Sequence, residues 1–301
     1  MNQSNQPLVS VVIPCYNHEN FVQECIQSVI EQTYQNIELI IIDDGSKDNS
    51  VAKIQEMISA CKERFTRFEF RTRANKGLSA TLNEALGWCQ GSYYSAIASD
   101  DILLTSKIGI QVEYLESPSN VKCAGVFGNV IYIDNKSHHL RESRLLFKRN
   151  KFKDIFLQDY TILAPTQLLR LNLIRKVGYY DEDVKIEDYY MWLKLTFSNE
   201  FYLDSLEDCF VKYRDHETNS SKNFYLMHNE RLKVLRSYME LDNYNESVSL
   251  SYLMYAHDVL RENKVRSLKA FQVSLMNYKR ILFSKSAQIY FARLLYRLVI
   301  P

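Results

Sequence analysis

Three short polar runs each follow an apolar stretch, and each could meet a charged ligand. Val9 to Ile13 leads into Pro14-Cys15-Tyr16-Asn17, Leu39 to Ile42 into Asp43-Asp44-Gly45-Ser46, and Tyr93 to Ala98 into Ser99-Asp100-Asp101. Adjacent carboxylates suit a hard divalent ion, Mn2+ or Mg2+, which prefers oxygen ligands and keeps positions free for phosphate. A tyrosine ring at position 16 could stack on a base, and Asn17 could cap the following helix. Asp43 and Asp44 repel each other unless something binds them, and an acid ending a second strand can accept hydrogen bonds from a nucleoside. A turn at Gly45 and Ser46 explains the polar residues but not both acids. Asp100-Asp101 alone could equally cap a helix; following a buried strand, beside two similar corners, it reads as a metal site.

Such corners converge only if the runs end neighbouring parallel strands. Continuous apolar segments such as Val9–Ile13 fit strands buried on both faces, and Pro14 is expected to stop the first. Helical spacing recurs at Phe21, Cys25, Ile26, Val29 and Ile30, again at Val51, Ile54, Met57 and Ile58, and over 78–89 and 108–115. Alternating strand and helix predicts an α/β fold with a mostly parallel sheet and right-handed crossovers. Beyond Lys122 the pattern loosens: residues 123–133 are β-rich, 138–150 read as a loop or mobile hairpin, and 201–213 supply more strand. From about Asn223 only helices are expected.

The N-terminal half resembles the inverting family 2 glycosyltransferases of GT-A fold. The resemblance rests on Val9 to Asn17, Phe21 to Tyr34, Ile37 to Ser50, Asn75-Lys76-Gly77, Asn83 and Gly91 to Asp101. It is close over residues 7–105 and looser to about Ser220. It implies that Pro14, Tyr16, Asn17 and Asp44 line the nucleotide pocket, with Asn75, Gly77 and Asn83 around the donor. It implies Asp101 as a direct ligand of Mn2+ or Mg2+, and Asp100 near the ribose and available to the metal. Ala98 stands where many members carry a further acid.

The same resemblance extends to Glu187-Asp188, read as an acceptor-site pair with Asp188 the general base. Inverting transfer needs a carboxylate to take the acceptor's proton. Acids at a helix start are also favoured by the helix dipole alone. In Tyr213-Arg214-Asp215-His216, Arg214 could pair with the donor diphosphate. His216 reads as a metal or phosphate contact, or as a histidine in a polar surface loop. Thr161 to Gln167 falls on the acceptor side, and Trp192 is expected in the core.

The 301 residues, 46% hydrophobic and 24% charged, suffice for one large α/β domain and an appendage. Expected boundaries are a catalytic domain at 1–222, with a nucleotide half at 7–105 and an acceptor half at 106–222, and a helical extension at 223–301. The net charge of +1 conceals an asymmetry. Lys264, Arg266, Lys269, Lys279, Arg280, Lys285, Arg293 and Arg297 face no acidic residue from Asn263 onward, which leaves the preceding chain net acidic. Apolar residues among those cations suit an interfacial helix on an anionic membrane, or a helical cap or oligomer contact. Nucleic acid is a poor partner for the acidic remainder. The six cysteines lack paired or metal-binding spacing and read as reduced thiols. Without an export-type start or an 18-residue apolar run, the expected location is cytoplasmic, peripheral on the cell membrane.

The resulting expectation is a metal-dependent, inverting hexosyl transfer from a nucleotide-sugar, UDP-linked, to a lipid-linked glycan in O-antigen or capsule assembly. The alternative is a non-catalytic sugar-nucleotide-binding scaffold of the same fold. A dinucleotide-dependent oxidoreductase is excluded, because Pro14-Cys15-Tyr16-Asn17 stands where Gly-Xaa-Gly-Xaa-Xaa-Gly would be needed.

Overall fold

A computed structural model describes residues 6–217 and 219–299. Strands β1 (Val9–Cys15), β2 (Ile37–Asp43), β3 (Arg67–Thr72) and β4 (Tyr93–Ala96) are parallel neighbours in the order β3-β2-β1-β4. Helices α1 (Val22–Ile30), α2 (Ser50–Arg64) and α3 (Leu78–Trp88) connect them. β-Branched residues dominate β1 and β2, whose Val, Ile and Leu side chains are fully buried, the pattern of strands covered on both faces. Chain order reverses between β1 and β4, so a crevice opens beyond their carboxyl ends.

Pro14 does not stop β1. Its neighbour Cys15 still pairs with Asp43. Along β1, odd residues turn their backbone groups to β2, as Val9 N–H does to Asn36, while even residues face β4. Pairing with β4 ends at Val12–Ala96, so the N–H that Pro14 lacks is not missed.

The sheet continues through β5 (Ile102–Leu103), α4 (Lys107–Glu116), β6 (Cys123–Ile133), β7 (His139–Glu142) and β8 (Lys148–Asn150). Next come α5 (Phe152–Phe156), β9 (Leu168–Arg170), α6 (Leu171–Val177), α7 (Glu187–Thr196) and β10 (Tyr202–Arg214). The strand path is β3-β2-β1-β4-β9-β6-β10-β5, with β7 on β6 and β8 on β10. Short β9 runs antiparallel to both β4 and β6, whereas β6 and β10 are parallel. The segment 138–150, expected as a loop or hairpin, supplies β7, which pairs antiparallel with β6, and β8, antiparallel to β10. Trp192 is core, edge-on to Phe127. All six cysteines are free, and five are buried.

The chain packs as two compact units. The first, holding the sheet, comprises Met1–Phe152, Tyr160–Asp183 and Tyr190–His216; the second comprises Lys153–Asp159, Val184–Tyr189 and Glu217–Pro301. In the second unit, α8 (Phe224–Arg236), α9 (Tyr244–Val259), α10 (Lys264–Asn277) and α11 (Lys285–Val299) surround a core that includes Leu253, Ala256, Phe271 and Tyr290. Serines let α9 and α10 approach closely: Ser267 Oγ donates to Ala256 O at 2.7 Å, and Ser274 Oγ to Ser249 O at 2.7 Å. Among the described residues, no helix is long and apolar enough to cross a membrane.

Candidate active site

The carboxyl ends of β1, β2 and β4 bring three loops together. Asp44 N–H donates to Cys15 O at 2.8 Å, and Asn17 N–H donates to Ser46 Oγ at 2.9 Å. Asn17 is not the cap of α1. Its φ is 55° and its Oδ1 accepts from Lys47 N–H at 2.7 Å, so its side chain clamps the β2 loop instead. Tyr16 is 46% exposed. Pro14 is half-buried.

The fold itself engages both acids of the Asp43-Asp44 pair, with Asp43 Oδ1 left without a hydrogen-bond partner among the described residues. Asp43 Oδ2 accepts from Gly45 N–H, Ser46 N–H and Thr72 Oγ1, each at 3.1 Å. Asp44 turns the other way and accepts from Lys76 N–H at 2.8 Å and Gly77 N–H at 2.9 Å, and pairs with Arg73. Arg73 also bonds Glu84 at 2.7 Å and Thr81 at 2.9 Å. The motif reading overlooked Arg73, although a cation ahead of Asn75-Lys76-Gly77 was a usable signal. Gly45 has to be glycine here: its φ is +76°, and a Cβ would lie 2.7 Å from Asn75 N. Asn75 is exposed beside it. Asn83 stands apart, its amide engaged by the backbone of Tyr180 at 2.9 and 3.0 Å and by Glu182.

At the end of β4 the two aspartates diverge. Asp100 Oδ2 lies 2.9 Å from His216 Nε2 and 3.9 Å from His18 Nε2. His18 Nδ1 is 2.7 Å from Ser99 Oγ, which ties the β1 loop to the β4 end. His216 stacks on Phe21 with ring centroids 6.3 Å apart. His18 was not anticipated; a ring nitrogen one residue after Asn17 was the only signal. Asp101 points inward. Its Oδ1 accepts from Arg214 N–H at 2.8 Å, and its Oδ2 has no hydrogen-bond partner among the described residues. Burial, then the Asp100 charge, push the Asp101 carboxyl well above the usual carboxylate range.

Arg214, expected to meet phosphate, is a structural tie. It is 1% exposed, and its guanidinium donates to Asp100 O at 2.8 Å, Asp134 O at 2.8 Å, Ser137 Oγ at 3.1 Å and Glu24 at 2.6 Å. A guanidinium so committed fixes the β4 end rather than a ligand.

These residues fit a divalent ion in part. Among the described residues no three His, Cys, Asp or Glu side chains gather as a complete metal cage. A carboxylate and an imidazole do meet at Asp100 and His216, beside an unpaired Asp101 oxygen. Oxygen and imidazole nitrogen are acceptable ligands for Mn2+, and a diphosphate commonly completes such a shell.

Glu187 and Asp188 open α7 within the second unit. Both are half-buried. Burial, then the Asp188 charge, push Glu187 up; burial pushes Asp188 up, against the opposing pull of its own Tyr189 amide contact and of Arg231. Asp188 Oδ1 accepts from Tyr189 N–H at 2.6 Å.

Residues 10–177 match the family model described as Glycosyl transferase family 2. An uncharacterized glycosyltransferase of Rickettsia felis is 28% identical over 265 residues, covering 86% of this chain but 40% of that protein. The chain thus spans less than half of that relative's length. Among solved structures, Staphylococcus aureus TarS 1–349 in complex with UDP-GlcNAc superposes with a TM-score of 0.58 at 13% identity, covering 91% of this chain and 92% of that one. The mannosyltransferase PcManGT of Pyrobaculum calidifontis, in complex with GDP-Man and Mn2+, gives 0.61 at 12% identity, covering 98% and 82%. These neighbours share the GT-A architecture, a mostly parallel sheet flanked by helices with further helices at the C-terminal end. By a family match covering more than half of its length, the chain belongs to glycosyl transferase family 2.

Proposed function

We propose that the chain transfers a hexosyl group, with inversion, from a UDP-linked donor to a hydroxyl of a lipid-linked glycan in surface-polysaccharide assembly of the O-antigen or capsule kind. The observation that carries this reading is the 2.9 Å meeting of Asp100 and His216 at the carboxyl end of β4. Family membership supports it, as do the nucleotide-sugars named with TarS and PcManGT. We read the basic C-terminal helices as keeping the chain at the cytoplasmic face of the cell membrane.

In this mechanism the acceptor oxygen bonds the anomeric carbon as the bond from that carbon to the diphosphate breaks. The diphosphate leaves with the electron pair, and the hydroxyl proton passes to Asp188. Burial raises the proton affinity of Asp188, which suits a general base; Glu187 orients the acceptor. Asp100 and His216 would hold Mn2+ or Mg2+, whose charge offsets that of the departing diphosphate. Tyr16 offers a ring face to the base, while Asp44 and Arg73 hold the 73–77 loop against it. Asp101 serves chiefly to anchor the strand of Arg214.

Nucleotide-sugars screened with Mn2+ test the proposal by release of nucleoside diphosphate. The expected result is release from a UDP-sugar that falls in Asp188→Asn while donor binding persists. Binding without release on every donor and acceptor, by the unaltered chain, would favour the scaffold alternative.

A further inference from the structure

The helices α10 and α11 carry apolar residues on their outer faces as well as on the faces they bury. On α10, the face turned to the core of the second unit holds Ser267, Ala270, Phe271 and Ser274. Outside that face Leu268 and Met276 are exposed. Between the helices Leu282 is exposed, and Phe283 is 83% exposed. On α11, Ala287, Tyr290 and Leu294 are buried while Ile289 and Leu295 lie outside. An ordinary surface helix keeps its outer face polar.

Exposed cations border these residues: Lys269 beside Leu268, Lys279 and Arg280 before Leu282, and Lys285 after Phe283. No acidic residue lies between Asn263 and Pro301. A second copy meeting it symmetrically through the same face would set this cationic surface against its like. A bilayer of anionic lipid accepts both features, since apolar side chains enter the acyl boundary while Lys and Arg remain among the headgroups.

We propose that the outward faces of α10 and α11, with Leu282 and Phe283 between them, form a monotopic seat on anionic membrane. This deepens, and rests on, the reading of a membrane-borne acceptor by assigning the residues that touch lipid. Insertion of Phe283 with Leu268, Met276 and Leu295 gives affinity, and the flanking cations select anionic headgroups.

The full chain is sedimented with vesicles of phosphatidylcholine alone and of an equal mixture with phosphatidylglycerol. Expected is binding to the mixed vesicles only. Loss should be about fivefold for each cation neutralised in Lys279→Gln and Arg280→Gln, and at least tenfold in the triple variant Leu268→Ser, Met276→Ser, Phe283→Ser. Because these side chains are exposed, the thermal midpoint should hold, and the single variant Phe283→Ser repeats the test with the smallest change. Binding that survives the triple variant overturns the proposal, as does no binding to either vesicle. A lipid-free dimer dissolved by the same substitutions would also overturn it, making a second copy the occupant. Donor turnover in detergent-free solution is read alongside: its failure strikes the transferase reading, and vesicle binding is unaffected by that outcome.

Discussion

Asp100 and Asp101 are adjacent in sequence and part company in space. The first reaches His216, and the second turns to the backbone of Arg214. Asp101→Asn keeps an acceptor for that N–H and removes a buried charge, so its thermal midpoint at neutral pH should equal or exceed that of the unaltered chain; a marked fall would return Asp101 to an indispensable charged role. Arg214→Met leaves Asp100 O and Asp134 O without their guanidinium donors. Asp134 O still accepts from Ser137 N–H, so Asp100 O is the carbonyl left stranded; at about 1–3 kcal/mol, chemical denaturation should show a clear loss of stability. For Asp188→Asn, steady-state kinetics should show kcat lower by about 10²–10⁴-fold with little change in donor KM. The carboxylate pairs were legible because acids directly after apolar strands are conspicuous. Which acid turns to His216 and which to Arg214 was not, since that depends on Arg214 arriving 113 positions later. Asn17 looked like a cap because an asparagine at positive φ and one at a helix start share the same local sequence signals.

At the scale of elements, the β2 turn is the most constrained loop around the candidate site. Gly45→Ala would place a Cβ against Asn75 N and force alanine to positive φ. A cost of about 1–3 kcal/mol is expected, with weaker donor binding because the 73–77 loop must shift. Helix α4 buries Lys107 completely; its Nζ donates to Ser95 Oγ at 2.9 Å and Gln167 O at 3.0 Å, joining β4 to the segment before β9. Burial pulls this ammonium down to about 7, below its value in the unfolded chain. Between about pH 7 and 10 the unfolded chain therefore binds more protons, and the Lys107 contribution to stability rises with pH. Ser95 Oγ still donates to Gln167 O in Lys107→Met, so no partner is stranded. The variant should be at least as stable at pH 7, with its advantage shrinking as pH rises; an advantage constant across that range would contradict the assignment. The first four strands and their helices were legible from unbroken apolar runs and 3.6-residue spacing. The place of β9 in the sheet was not, because three residues inserted antiparallel between β4 and β6 leave no periodicity. Exposed β7, of sequence His-Leu-Arg-Glu, resembles a loop for the same reason.

For the molecule as a whole, charge was legible and orientation was not. Counting residues located every cation of the C-terminal extension, yet the apolar outer face of α10 emerges only once its serines pack on α9. Raised salt should weaken association with anionic vesicles while leaving donor turnover in solution largely intact, because the two rest on different residues. The most direct measurement of the central claim is calorimetric binding of UDP, and of GDP for comparison, with and without Mn2+, to the unaltered chain and to Asp100→Asn. The account predicts binding that strengthens with Mn2+ and a loss of that gain, about 10–100-fold, in the variant. An equal gain in Asp100→Asn would contradict it.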